Sequence, residues 1–392
     1  MKKLAYYRVA IACFVGMVCF SLFSSGLSFF VATVSQDLGV GRGSFTMYYS
    51  LMAIGGALAA PTMGKLAGKY GVRKLMIISA VWGCSAMLLF SVASALWMFY
   101  VVGLAAGLMG NACVMLCINV ALQRSYDAKT MSAIMGVVMA GSGVGGMLLS
   151  AVMPGLLEQV GWRAGYRLLG IAWLALVLLS VVIMGKEQTS AAAADGAAAG
   201  GEAGMTQAQL LKTPAMYLLI LESLILAASC GILQQYPALL GGMGFDTATV
   251  ATMMSLMTAS IAVGKIAQGA LYSGVGVRKG GAVAILIFAA GLLLLLLRAG
   301  TVYPALVLSA IGLGVYTTLM PLVTRKVFGH SFAAAWGMVQ LGGSLGGFIG
   351  NPAWGAVYDA TGSYTLALVV FPVILAATMV LHLVLTRDKK AG

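Results

Sequence analysis

The sequence predicts an all-α integral membrane protein, with twelve transmembrane helices in two pseudo-symmetric six-helix bundles. Three observations carry that expectation. Of 392 residues, 61% are hydrophobic and only 8% are charged, whereas a soluble domain needs about 25% charged residues. Apolar runs of spanning length recur along the whole chain, and one bilayer crossing takes about 20 residues. One glycine-and-basic motif also occurs twice, after the second run of each half.

The runs fall at roughly 9–33, 45–67, 75–93, 96–122, 131–157 and 164–185. Six more follow at roughly 214–240, 248–272, 281–298, 301–324, 331–357 and 364–386. Runs longer than one straight crossing are accommodated by tilt. The closely spaced pair 281–298 and 301–324 is the weakest division. Between the sixth and seventh runs lies KEQTSAAAADGAAAGGEAG, Lys186 to Gly204, whose alanine, glycine and scattered charge mark a flexible linker. Residues 205–213 read as a short surface helix before Pro214 opens the seventh span. The expected organisation is an N-terminal bundle over 1–185, a cytoplasmic linker over 186–213 and a C-terminal bundle over 214–392.

Charge sets the orientation. With both termini inside, eighteen of the 23 Lys and Arg fall in cytoplasmic segments. Four (Arg42, Arg163, Arg167 and Arg298) fall on the other side, and Lys265 is left in the membrane. That asymmetry is a strong positive-inside signal. It also explains the net charge of +13 without nucleic acid, whose binders cluster their charge on one soluble face. The run after Met1-Lys2-Lys3 is too long for a cleavable signal peptide. The six cysteines all lie in apolar runs, and Cys113 and Cys117 have no His or acid beside them to complete a metal set. No cofactor is expected.

The repeated motif runs from Gly64-Lys65-Leu66 to Gly71-Val72-Arg73-Lys74, and again from Gly269-Ala270-Leu271 to Gly276-Val277-Arg278-Lys279, with identical spacing. Gly141-Ser142 and Gly343-Ser344 are a looser echo. Parallel repeats of this kind place a binding site near the membrane midplane, between the halves.

GKLAGKYGVRKL, Gly64 to Leu75, resembles the loop motif between the second and third helices of the major facilitator superfamily. The motif's usual acid is replaced by Gly68 here and by Ser273 in the second copy. The resemblance implies that Gly64, Gly71, Arg73, Lys74, Arg278 and Lys279 govern conformational change, with the acid's locking contact missing or made otherwise. Within the superfamily the chain is most similar to the monocarboxylate and oxalate/formate branches. The carrying residues are Met139 to Gly145 leading to Gly161-Trp162-Arg163, Leu211 to Pro214, Val327 to His330 and Tyr358 to Tyr364.

Lys265 is the first candidate binding residue. A charge at the bilayer centre costs about 2.5–3.5 kcal/mol on insertion scales, so it has a role or snorkels to the nearby surface. In the resembling branches a cation on the eighth helix, followed four positions later by Gly, receives the substrate carboxylate, and Lys265 with Gly269 fits that pattern. Lysine is a point charge without arginine's fork, so carboxylate binding is less geometrically selective. The eleventh span has no cation between Ser331 and Tyr358, which argues against a dicarboxylate. The acidic, Trp-rich first-helix motif of animal monocarboxylate carriers is absent, and Ser24-Ser25-Gly26-Leu27-Ser28 stands there.

Glu222 is the one acid within a span. At 1.5 Å per residue it lies about 12 Å deep, and Lys265 about 10 Å deep, on adjacent spans. The expectation is that the two pair in the empty site, and that Glu222 takes a proton when substrate claims Lys265; the alternatives are a static ion pair and a glutamate facing interfacial water. Tyr316 resembles a substrate-facing tyrosine of the family. Asn111 and Gln340 are further polar candidates, and each reads equally well as interhelical glue.

Two histidines and one intramembrane acid are too few for a membrane enzyme site, and no GxxxxGK[ST] motif points to ATP. The expected function is secondary active transport of a small organic anion, a monocarboxylate, proton-coupled or exchanging, by alternating access. The alternative is efflux of a hydrophobic drug or metabolite. The expected protein is a monomer in the cytoplasmic membrane of the cell, with both termini cytoplasmic and lipid, the anion and a proton as its partners.

Overall fold

A computed structural model describes residues 2–185, 205–297 and 300–387. The linker from Lys186 to Gly204, and Arg298, lie outside the described residues, as do the side chains of Arg42 and Asn111. All regular structure among the described residues is helical.

Span one is Lys2–Ser24, prolonged by a 3-10 turn and the helix Phe30–Asp37. Span two is Arg42–Tyr70, and span three is Val72–Val92. Span four joins Leu96–Met109 to Asn111–Ser125 across Gly110. Spans five and six form one stretch, Ala128–Met184, broken at Gly161. Span seven is Pro214–Ser229, prolonged to Gly242 by a 3-10 turn and a short helix. Spans eight and nine share Thr247–Leu294, broken at Gly276. Span ten joins Val302–Leu313 to Val315–Phe328 across Gly314, span eleven is Phe332–Thr361, and span twelve is Thr365–Leu385. The short helix Gln207–Leu210 falls where a surface helix was expected.

The connections are shorter than the sequence suggests. Lys65 and Lys69 read as part of a loop, but they sit in the last turns of span two, and only Gly71 separates it from span three. Basic residues suit a helix C-terminus, where they face the negative end of the dipole. Three breaks share one conformation: Gly71 (φ 82°, ψ 154°), Gly161 (φ 72°, ψ 169°) and Gly276 (φ 84°, ψ 158°). A Cβ disfavours that region, so glycine is required at each.

Nine stretches among the described residues are long and apolar enough to cross a membrane. Two of them, Thr252–Leu297 and Val302–Tyr358, run through a helix break and hold two crossings each. Arg42–Tyr70, diluted by hydroxyl and glycine residues, is the twelfth crossing. Large apolar side chains such as Val81, Leu89, Val182, Val373 and Val384 remain exposed, as a lipid-facing surface requires.

The chain forms two compact units. One comprises Met1–Tyr126, Gly141–Thr206 and His330–Leu341. Its core contains Trp173, set edge-on to Phe23 at 4.5 Å, and a ring cluster of Phe90, Phe99 and Tyr166. Here a methyl on Gly64 would stand 2.6 Å from the Ala333 carbonyl oxygen and 3.3 Å from Gly337 Cα. The other unit comprises Asp127–Ala140, Gln207–Gly329 and Gly342–Gly392. In it a methyl on Gly269 would stand 2.7 Å from the Ser132 carbonyl oxygen and 2.9 Å from Gly136 Cα. Gly64 and Gly269 are the matched first glycines of the two motif copies. Each lets two helix backbones cross at a distance that any side chain would forbid.

Candidate functional site

Lys265 lies on span eight, one turn before Gly269. It is 7% exposed, so its ammonium does not snorkel to the surface. Nζ donates to the Met139 carbonyl of span five at 3.3 Å. The stem passes the break in span ten, where a methyl on Gly314 would stand 2.8 Å from Lys265 Cγ. Cys230 is an electrostatic neighbour of the ammonium, and its thiol donates to Leu313 O at 3.6 Å beside the same break.

Gln268 and Tyr272 follow Lys265 at i+3 and i+7, on the same helical face. Gln268 Nε2 donates to Ile311 O at 2.7 Å, and its Oε1 accepts from the Thr318 hydroxyl at 2.6 Å. Tyr272 OH lies 3.4 Å from Thr318 Oγ1. Span eight thus carries a polar ladder whose lower rungs are satisfied by span ten, with a cation as its top rung. This ladder was not anticipated from sequence, where Gln268 and Tyr272 look like ordinary polar residues in an apolar run.

Tyr316, on span ten, has Ser223 of span seven as a neighbour, and its hydroxyl occupies the space that a side chain on Gly343 would fill. Gln340 is buried, and its Oε1 has no hydrogen-bond partner among the described residues. Asn111 opens the second half of span four, with its side chain outside the described residues.

Glu222 departs from expectation. It meets His382 of span twelve rather than Lys265: Oε1 lies 2.9 Å from His382 Nδ1, with both side chains fully buried. The far side of the imidazole faces the Val277 and Arg278 carbonyls, each 3.2 Å from Nε2. The error has a geometric cause. Depth along a helix fixes height but not direction, and consecutive residues point about 100° apart at 3.6 residues per turn. Ser223 lies beside Tyr316 of span ten, whereas Glu222 faces span twelve.

Of the loop-motif residues, Gly71 and Gly276 make the helix breaks already described. Arg73 and Arg278 are half-buried at the starts of spans three and nine, and Lys74 and Lys279 beside them are exposed. Arg278 Nε has no hydrogen-bond partner among the described residues. A further cluster joins the end of span one to span six. Asp37 Oδ2 accepts from Trp162 Nε1 at 3.0 Å and from Arg163 Nη1 at 3.2 Å, and the guanidinium lies 4.1 Å over the Trp162 ring. Among the described residues no group of three or more His, Cys, Asp or Glu is placed to hold a metal.

The comparisons with known proteins agree with this architecture. Rat (Rattus norvegicus) monocarboxylate transporter 13 is 26% identical over 325 residues, covering 79% of this chain and 72% of that protein. The multidrug resistance protein MdtG of Serratia proteamaculans is 31% identical over 188 residues, covering 45% of this chain and 43% of that protein. Among solved structures, the proton:xylose symporter XylE matches with a TM-score of 0.81 at 10% identity, over 99% of this chain and 97% of that one. The fucose:proton symporter FucP of E. coli matches with a TM-score of 0.73 at 15% identity, over 98% of each chain. At such identities the two structures establish the fold alone. The family model for the Major Facilitator Superfamily matches residues 13–328, and the chain belongs to that superfamily of multi-pass membrane transporters.

Proposed function

We propose that this transporter is a secondary carrier of a small organic anion, a monocarboxylate, with Lys265 receiving the carboxylate. The observation that carries the reading is a lysine ammonium held inside the protein at a helix break, 7% exposed and hydrogen-bonded to a backbone carbonyl. A carboxylate offers that ammonium an opposite charge and a charge-assisted hydrogen bond, roughly twice as strong as one between neutral groups. The similarity to monocarboxylate transporter 13 supports the same substrate class.

In this reading Tyr316, Asn111 and Gln340 orient the substrate, and Glu222 carries the proton in proton-coupled movement, anion exchange being the other mode. The bundles 1–185 and 214–392 are the bodies that alternate, joined by the 186–213 linker, and the motif residues at 64–74 and 276–279 govern the change. The protein works as a monomer in the cytoplasmic membrane with both termini in the cytoplasm. The similarity to a multidrug resistance protein favours a second reading, efflux of a hydrophobic compound, in which Lys265 is dispensable.

The test is uptake of labelled pyruvate, lactate and benzoate into proteoliposomes, with and without an inward proton gradient. Uptake by the wild type and its loss in Lys265→Ala is the expected result. No uptake of any monocarboxylate, or uptake indifferent to Lys265, sinks the anion reading in favour of efflux.

A further inference from the structure

The surroundings of the Glu222–His382 pair fix how many protons it holds. His382 Nε2 stands 3.2 Å from two carbonyl oxygens, those of Val277 and Arg278. A carbonyl only accepts, so Nε2 carries a hydrogen. On the other side of the ring, Nδ1 stands 2.9 Å from Glu222 Oε1. A bare Nδ1 there would set its lone pair against a carboxylate in a site with no exposure at all. A second proton therefore lies between the two side chains. Imidazolium facing carboxylate and neutral imidazole facing carboxylic acid are two descriptions of one state, with the same proton count and no net charge. Losing that proton in place leaves a bare negative charge, and Glu222 Oε2 has no hydrogen-bond partner among the described residues.

We propose that Glu222 and His382 together form a proton-binding site that keeps one exchangeable proton while buried, and releases it when span twelve and the 276–279 turn part from span seven. This deepens the transport reading and rests on it for the proton's role. The link to conformation is mechanical. The imidazole bonds to the turn's own carbonyls, and it reaches them because position 281 is glycine: a Cβ there would overlap Nε2. Protonation of the pair therefore holds the turn against spans seven and twelve, and opening the turn exposes the pair to water. The charged or titratable groups on the surrounding elements also include Tyr217 on span seven, Lys265 and Tyr272 on span eight, Arg278 and Lys279 at the turn, Tyr316, Arg325 and Lys326 on span ten and Arg387 beyond span twelve. Tyr217, Lys279 and Arg387 are exposed, Tyr272 bonds Thr318, and Arg278 meets the pair through its carbonyl.

His330 and His382 are the chain's two histidines, so the purified full chain, labelled with 15N-histidine, gives four ring-nitrogen signals, two per imidazole, and His382→Asn assigns the pair that belongs to His382. The expected spectrum shows Nε2 of His382 protonated and a strongly downfield proton shared between Nδ1 and Glu222, absent in Glu222→Gln. An unprotonated Nε2, or no shared proton, overturns the site whether or not any substrate is transported. The second arm uses proteoliposomes and labelled pyruvate. Glu222→Gln and His382→Asn are expected to lose gradient-driven accumulation while keeping pyruvate–pyruvate exchange. Accumulation that survives in both variants overturns the pair's role and leaves the anion reading standing, whereas a wild type that moves no monocarboxylate refutes that reading and the pair's coupling role with it.

Discussion

Gly71 and Gly276 turn the chain in nearly the same way, with φ of 82° and 84°, and Gly64 and Gly269 seven residues earlier each admit a crossing backbone. Behind the two turns the chemistry differs. Five residues after Gly71 comes Met76, fully buried. Five residues after Gly276 comes Gly281, and the space it leaves is taken by the His382 imidazole. One copy of the turn is therefore backed by apolar packing, and the other by a titratable pair. The two copies keep the same turn geometry, and one of them has a His–Glu pair behind it.

Giving the second copy the first copy's side chain separates the two turns most strongly. Gly281→Met should expel the imidazole and leave Glu222 buried without its partner, a loss of about 3–5 kcal/mol for one member of a buried pair. The reciprocal Met76→Gly should cost about 2–5 kcal/mol through the cavity it leaves. Thermal unfolding in detergent across pH separates the two. Gly281→Met should change the pH dependence, and Met76→Gly should lower stability equally at every pH. If both variants altered the pH profile alike, the asymmetry between the turns would be wrong.

A smaller effect tests what the turns share. Gly71→Ala and Gly276→Ala each place a Cβ in a glycine-only conformation, worth about 1–3 kcal/mol. The two losses should match within error. A neutral substitution at either site would mean that the two copies do not rely on the same backbone strain.

Much of this organisation is written in the sequence. Apolar runs mark the crossings because a lipid environment demands long uncharged helices, and the matched glycines of the two motif copies are the residues that permit the turns and crossings. The connections were harder to read. Charge near Lys65 and Lys74 looks like loop chemistry, yet helices continue beyond the hydrocarbon and stop only where glycine breaks them. The site was legible in part. Lys265 stands out as a cation in an apolar run, but its partner is a backbone carbonyl at Met139, which leaves no signature in residue types. Glu222 stands out equally, yet its partner His382 lies 160 residues away. Depth arithmetic cannot choose between two helices at the same height, because that choice depends on the direction of the side chain around its axis.

Lys265, as proposed, recognises the carboxylate of the substrate. The most direct measurement is competition in proteoliposome counterflow between a carboxylate and the neutral amide of the same shape: lactate against lactamide, and benzoate against benzamide. The wild type is expected to take the carboxylate and ignore the amide, and Lys265→Gln is expected to remove this discrimination. Equal competition by acid and amide in the wild type, or discrimination that survives in Lys265→Gln, would contradict it.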